Sequence, residues 1–341
     1  MNVRTSMSRG IVAAVAVAAL LAGLAGPTHA DPLKIRIAWV VTPASLVPLI
    51  AKVPAGVTKH LGKTYTIEDS HIGASSQQIT AIAAGQIDIA GLNYSSLPLA
   101  VINGQLEDIR IIADEIQDGH PGYFSVGYWV RKDSGIKRVE DLKGKTLAVN
   151  GHGTGVEMAL TIVLQKHGLA LTDAQIVEVP FANMAATLAD KKVDLAEPPA
   201  AFTADPNFQA MATPLFHGSD AFGVSTLSFW VARKDFIAQH RAALVDLIED
   251  YIRAIRWFND PKNNAAAIAV ASAYTKIPAA KFEGWAFGKG DFYRDPDTMV
   301  DMAALQSNID AAAKLKVIPR PITAKDYADL SLAREAAGRI K

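Results

Sequence analysis

The pattern of apolar and polar positions divides the chain at once. Residues 11–25 form an almost unbroken apolar run, IVAAVAVAALLAGLA, preceded by Arg4 and Arg9 and broken by Gly26 and Pro27. Thr28-His29-Ala30 then places small residues at the two positions a signal peptidase reads. The run is short for the ~20 residues of a spanning helix, and no stop-transfer charge cluster follows it. Residues 1–30 are therefore expected to be a cleavable export signal, with the working protein starting at or near Asp31. No later stretch is long and apolar enough to cross a bilayer.

From residue 33 the pattern alternates strand and helix. Leu33-Lys34-Ile35-Arg36-Ile37 alternates and turns fully apolar at residues 38–41, which predicts a first strand entering a buried sheet. A short helix is expected from about Ala44, limited by Pro48 and Pro54. Ser75-Ser76 precedes the helical run QQITAIAAG, stopped at Gly85. Strands are predicted at 87–90 and 109–113, with a helix at 96–103 between them. This grammar points to an α/β architecture with largely parallel sheets.

A second block repeats the grammar. Residues 124–131 and 146–149 read as strands, and the loop Asn150-Gly151-His152-Gly153-Thr154-Gly155 leads into a helix that Gly168 ends. A strand at 176–179, a helix at 183–189 and a strand at 193–196 follow. Ile82-Ala83-(x3)-Ile87-Asp88-Ile89-Ala90 is echoed by Leu188-Ala189-(x3)-Val193-Asp194-Leu195-Ala196, each reading as helix, tight turn and buried strand. Phe229-Trp230-Val231-Ala232-Arg233-Lys234-Asp235 likewise resembles Tyr128-Trp129-Val130-Arg131-Lys132-Asp133. These segments are expected to flank crossings between two lobes of similar plan. Beyond them lies an amphipathic helix over 235–258, with Leu244, Leu247, Ile248, Tyr251, Ile252 and Ile255 inward. Asp260-Pro261 and Asp295-Pro296 are expected to start later helices, and Thr323 to cap the last.

Composition then narrows the function. The chain has no cysteine, which excludes disulfides, thiolate metal sites, cysteine nucleophiles and an N-terminal lipid-bearing cysteine. Lys+Arg and Asp+Glu balance at 34 each, and the leader takes two arginines and no acid with it, so the remainder is slightly acidic. That balance argues against a nucleic-acid or anionic-membrane partner.

Taken in order, SSQQITAIAAGQIDIAGLN, KDSGIKRVEDLKGKTLAVNGHGTG, Glu197-Pro198 and KVIPRPITAKDYADL resemble the periplasmic solute-binding proteins of nitrate/sulfonate/taurine-type ABC importers. The resemblance covers essentially the whole chain after the leader. It implies a type II-like two-lobe fold with two crossing hinge segments, a ligand in the interlobe cleft, and closure that docks the protein on a permease served by a cytoplasmic ATPase. The lobes would be 31–122 plus 223–341, and 123–222. A periplasmic, non-enzymatic monomer without cofactor or metal is the expectation. Its ligand would be a small organic anion such as an aliphatic sulfonate or taurine-like compound, with aromatic carboxylate or nitrate as alternatives.

Ligands of open α/β sheets sit beyond the C-terminal ends of the strands. By the strand assignment, loops 42–45, 73–77, 93–96 and 150–155 lie there. Three of them end at helix starts rich in Ser, Thr, Asn and Gly, whose free N–H groups suit an anion without a buried lysine. Candidate contacts are Thr42, Ser75, Ser76, Gln77, Asn93, Asn150, His152, Gly153 and Thr154. Trp39, Tyr94, Tyr123 and Phe181 are candidate aromatic walls, as are Phe202 and Phe222, with Asn183 beside Phe181. Ser, Thr and Gly at such places also serve as plain caps and turns. Glu197 stands where Gly91 stands in the echo; it would hold a ligand ammonium or amide, or accept bonds from the chain.

Enzymatic readings fare worse. Gly151-x-Gly153-x-Gly155 lacks the spacing of a dinucleotide fingerprint, and neither a GxSxG elbow nor an HExxH pair occurs. Pyrimidine-synthesis enzymes resembling the same sequences depend on a cysteine-rich motif that is missing here. A sensor partner in place of a permease would leave the same sequence signature.

Overall fold

The computed structural model describes residues 31–340; the expected leader, residues 1–30, lies outside them. Among the described residues ten strands are formed: β1 (Leu33–Trp39), β2 (Tyr65–His71), β3 (Ile89–Leu92), β4 (Ile109–Asp118), β5 (Gly127–Arg131), β6 (Thr146–Val149), β7 (Gln175–Glu178), β8 (Leu195–Ala196), β9 (Ala212–His217) and β10 (Ser225–Arg233). They make two five-stranded sheets, ordered β2-β1-β3-β10-β4 and β7-β6-β8-β5-β9.

The two orders are the same order. In each sheet the strand second from one edge (β1 or β6) pairs in parallel with two neighbours, and an antiparallel strand (β10 or β5) lies between a parallel strand and the other edge strand. The echo in sequence marks this repeat. Val231 pairs with Ala90 and Ala232 with Ile89 in the first sheet. Trp129 pairs with Ala196 and Val130 with Leu195 in the second. The expected largely parallel sheets are instead mixed. The reason is topological: β5 and β10 are each the first strand after the chain changes sheet, and each runs antiparallel to both of its neighbours.

Helices in chain order are α1 (Ser75–Ala83), α2 (Ser96–Ile102), α3 (Gly155–Lys166), α4 (Phe181–Ala189), α5 (Ala200–Thr203), α6 (Pro206–Met211), α7 (Ser219–Phe222), α8 (Lys234–Asn259), α9 (Asn264–Thr275), α10 (Met302–Lys314) and α11 (Ser331–Arg339). None of the described helices is long and apolar enough to cross a membrane. On α8 all six residues expected inward are buried, packed with Trp230 and Ile112 on one face of the first sheet. A second core runs continuously from Ile82 on α1 and Leu92 of the first sheet to Tyr128 and Leu147 of the second sheet and Leu160 on α3. Helix α3 is buried from Val156 to Leu164 apart from Glu157, so it is apolar almost all round.

Several expected boundaries move. Ser75 and Ser76 are the first residues of α1, not its cap; Ala74 holds the N-cap position, without a side-chain bond. Asp295 starts a turn, its carboxylate accepting from Asp297 and Met299 N–H, and no helix forms until Asp301 caps α10 through Ala303 and Ala304. Thr323 makes no cap bond, and the chain after it forms only a short 3-10 turn. The last helix is started by Asp329, which accepts from Ser331 N–H. Asp–Pro spacing signals a turn as readily as a helix start, and the residues downstream of the proline decide between them.

The chain passes between the sheets twice, through residues 119–126 and 218–224. Asp118 joins the two passages. Its carboxylate accepts from Val126 N–H at 2.7 Å and from the Ser125 hydroxyl at 3.1 Å, and that hydroxyl accepts from Ser219 N–H at 3.1 Å. Gly218 N–H donates to the Val126 carbonyl at 2.7 Å.

Candidate functional site

The loops beyond β1, β3, β6 and β8 converge on one cavity of about 960 Å³, counted with its open mouth. The first sheet contributes Thr42, Ser45, Asn93 and Glu115, and the second contributes Asn150, Thr154 and Glu197. Phe124, Phe181, Trp285 and Phe292 supply aromatic surface, with Phe124 and Phe292 edge to face at 5.0 Å. Among the described residues lining the cavity, none is Lys, Arg or His.

Of the residues singled out from sequence, Thr42, Ser75, Asn93, Asn150, Thr154, Phe181 and Glu197 line this cavity. Most of their polar groups are already bonded within the protein. The Asn93 side-chain carbonyl accepts from Ser95 and Ser96 N–H, and its amide donates to the Ser75 hydroxyl at 3.2 Å. The Thr154 hydroxyl donates to Asn150 Oδ1 and the Gly151 carbonyl, and caps α3 by accepting from Glu157 N–H at 3.4 Å. These are cap and loop bonds of the ordinary kind. Two buried polar atoms in the cavity have no partner: Thr42 Oγ1 and Glu197 Oε2.

The other candidates lie off the cavity. Trp39 packs against His71 with ring centroids 4.5 Å apart and tilted planes, and donates its indole N–H to Asp69. Ser76 is half-buried in the first turn of α1, and Gln77 points to solvent. Its neighbour Gln78 is the buried one, accepting from Gly91 N–H and donating to the Ile72 carbonyl. Tyr123 packs against His120 and Tyr293, with the Lys289 ammonium 4.0 Å above its ring. His152 is exposed and paired with Glu157 at 2.6 Å, which raises its pKa. Asn183 is exposed on α4. Phe202 and Phe222 are also absent from the lining.

Tyr94 and Gly153 join the two sheets instead. The Tyr94 hydroxyl donates to the Gly155 carbonyl at 2.7 Å, and Ser95 Oγ donates to the Gly153 carbonyl at 3.0 Å. The Asn150 amide donates to the Gly73 carbonyl at 3.0 Å. Glycine makes this approach possible. A Cβ on Gly151 would sit 2.9 Å from Ala74 Cβ, and one on Gly155 would sit 3.2 Å from Asn93 Nδ2. The loop resembling a dinucleotide fingerprint is thus a docking surface for the loops of the first sheet.

Residues that sequence reasoning missed come from segments without helical or strand periodicity, or from the middle of a strand. Trp285, Asp291 and Phe292 belong to an irregular stretch, and Glu115 lies within the buried strand β4. Both oxygens of Glu115 accept serine hydroxyls at 2.5 Å, from Ser45 and Ser228. Burial raises its pKa, with these bonds opposing. Burial also raises Glu197 far above the usual carboxylate range, and the nearby Asp118 adds to the shift. Arg294 is close behind the wall, but its guanidinium is held by Asp291 and by the Pro43 and Ala44 carbonyls.

Residues 29–272 match the NMT1-like family. The chain belongs to the NMT1-like family. A Brucella abortus (strain 2308) protein provisionally named a binding protein is 26% identical over 217 residues, which cover 60% of this chain and 61% of that protein. The alkanesulfonate-binding protein SsuA of Xanthomonas axonopodis pv. citri, solved bound to MOPS, superposes with a TM-score of 0.69 at 18% identity, over 88% of this chain and 99% of that one. The desulfurization enzyme DSZB superposes with a TM-score of 0.60 at 15% identity, over 91% of this chain and 100% of that one. At such identities the likeness is one of fold, and the fold carries both binding and catalysis.

Proposed function

We propose that this NMT1-like chain is the periplasmic solute-binding component of an ABC importer, exported by residues 1–30 and working as a non-enzymatic monomer. It captures a small organic solute between lobes comprising 31–122 plus 223–341, and 123–222. The observation that carries the reading is the cavity walled from both sheets, with hydrogen bonds joining the loops across it. Such a cavity needs relative movement of the sheets to admit a ligand, and the paired passages at Asp118 supply a place to bend. The closed surface would then be offered to a permease with its ATPase.

The starts of α1 and α3 favour an organic anion, a sulfonate or carboxylate, as one ligand class, because the first N–H groups of a helix attract negative charge. The apolar lining favours a ligand with a hydrocarbon or aromatic body over nitrate. The test is thermal unfolding of residues 31–341 against a library of small organic solutes. A ligand at ~100 Kd should add about 2.7 kcal/mol, and X-ray scattering should show compaction with that ligand. Stabilisation by no solute, or only by a dinucleotide, would overturn the reading.

A further inference from the structure

We propose that the solute held in this cleft is an organic cation, an apolar body bearing a protonated nitrogen, whose N–H groups are accepted by Glu197 and Thr42. The inference rests on the solute-capture reading and sets a cation in place of the anion that the helix starts alone would favour.

The first observation is the unpartnered carboxyl. Glu197 is 6% exposed, lines the cavity, and leaves Oε2 without a hydrogen-bond partner. Buried carboxyl oxygens in folded proteins are almost always bonded, because an unpaired one loses its hydration with no return. Thr42 Oγ1 is unpartnered in the same cavity. A ligand with several N–H donors meets both needs at once. An anion meets neither need of Glu197 while the carboxyl is ionised.

The second observation is the charge of the wall. The cavity shows carboxyls from both sheets, Glu115 and Glu197, and no lining cation among the described residues. Arg294, behind the wall and paired with Asp291, offsets Glu115 in part, while no cation among the described residues acts on Glu197. Glu115 receives one serine hydroxyl on each oxygen, the arrangement of a group that accepts and does not donate. Once these carboxyls are ionised, a sulfonate would enter against them with only helix N–H groups to hold it. A protonated amine gains from both carboxyls in a water-poor site, where opposite charges attract strongly. The faces of Phe124, Phe181, Trp285 and Phe292 accept its hydrocarbon part and attract the cation through their negative ring faces.

Titration sets the sign of the pH response. Glu197 faces Asp118 from β4, Tyr94 from the loop after β3, and Tyr128 from β5. Both tyrosines are pushed above their ordinary range by burial, so they stay neutral. Glu197 and Asp118 therefore titrate near the ligand head, with Glu115 on the opposite wall. Ionising them favours a cation and disfavours an anion, so affinity for an amine should rise with pH as these carboxyls, all raised above their usual range, lose their protons.

The experiment uses residues 31–341 and matched probes: benzylammonium, phenethylammonium and cyclohexylmethylammonium, each beside its alcohol and its sulfonate. Calorimetry should show the ammonium member of a set binding at least about tenfold tighter than its alcohol, with the sulfonate weakest. Glu197→Gln should bring the ammonium-to-alcohol ratio close to one. Glu115→Gln, which keeps Ser45 and Ser228 as partners, should lower that ratio in part. A sulfonate or alcohol binding more tightly than its ammonium partner overturns the inference and leaves solute capture standing, as does a ratio unmoved in both variants. Binding by no member of any set overturns the inference and counts against capture of an apolar-bodied solute as well.

Discussion

The hydroxyl of Tyr94, in the loop after β3, donates to the carbonyl of Gly155 at the start of α3, 2.7 Å away and in the other sheet's half of the molecule. Tyr94 is 1% exposed and stands edge to face with Phe222 at 4.7 Å. The ring belongs to the continuous core, and the hydroxyl fastens one lobe to the other. Tyr94→Phe keeps the ring and deletes the bond. A neutral hydrogen bond contributes about 1 kcal/mol, so ligand affinity should weaken by roughly fivefold. Calorimetry on wild type and variant checks this; equal affinities would remove the bond from the closing machinery.

Closure also depends on backbone approach at the 150–155 loop. Gly151→Ala would place a methyl 2.9 Å from Ala74 Cβ, closer than carbon atoms pack. The variant should fold normally, because the clash exists only when the lobes meet. Its unfolding temperature without ligand should match wild type, while ligand affinity falls about tenfold or more and scattering with ligand retains the larger radius. A variant that compacts like wild type would show that the loop yields.

Asp118 gives the hinge a pH dependence. Burial raises its pKa to about 6, against bonds from Val126 N–H and the Ser125 hydroxyl that pull it down. An unfolded Asp titrates near ~3.9, so between these values the folded protein binds more protons than the unfolded chain. Stability contributed by this group is therefore greatest below about pH 4 and falls as pH rises through about 6, by about 3 kcal/mol in all. Asp118→Asn removes the titration and keeps an acceptor for Val126. Urea unfolding at several pH values should show wild type losing stability relative to the variant across that window. A constant difference would contradict the assignment.

A fourth test lies far from the cleft. Asp250 on α8 is fully buried and accepts from the N–H groups of Lys59, His60 and Leu61 and from the Tyr65 hydroxyl. It anchors the loop before β2. Asp250→Ala strands four donors, so unfolding free energy should drop by about 3–5 kcal/mol, measured by denaturant titration. A loss under about 1 kcal/mol would mean that water replaces the carboxylate.

The local signals in the sequence were legible wherever one residue type suffices. Thr154 reads as a helix cap and is one; the inward face of α8 reads correctly from its period. The repeated helix, turn and strand at 82–90 and 188–196 anticipates two sheets of one strand order. Sites of turn versus helix were not legible: at Asp295 a turn and a helix start share the same side-chain-to-backbone bond, and at Thr323 a cap-type residue forms no such bond at all. Glu115 was hidden for another reason: within an apolar strand, nothing local distinguishes a carboxyl that faces a cavity.

By itself, the sequence determined periodicity, caps, the repeated unit and the absence of cysteine, all of which depend on neighbours within a few positions. Only the tertiary structure decided which polar groups remain free. Asn93, Asn150 and Thr154 looked like ligand donors, yet partners up to 77 residues away bond them, and Ser75 accepts from Asn93. Glu197 looked as much like a structural residue as a ligand-binding one, yet it is left without a partner inside the cavity. A hydrogen bond removes its donor and acceptor from further use, and that tally closes only when the chain has folded.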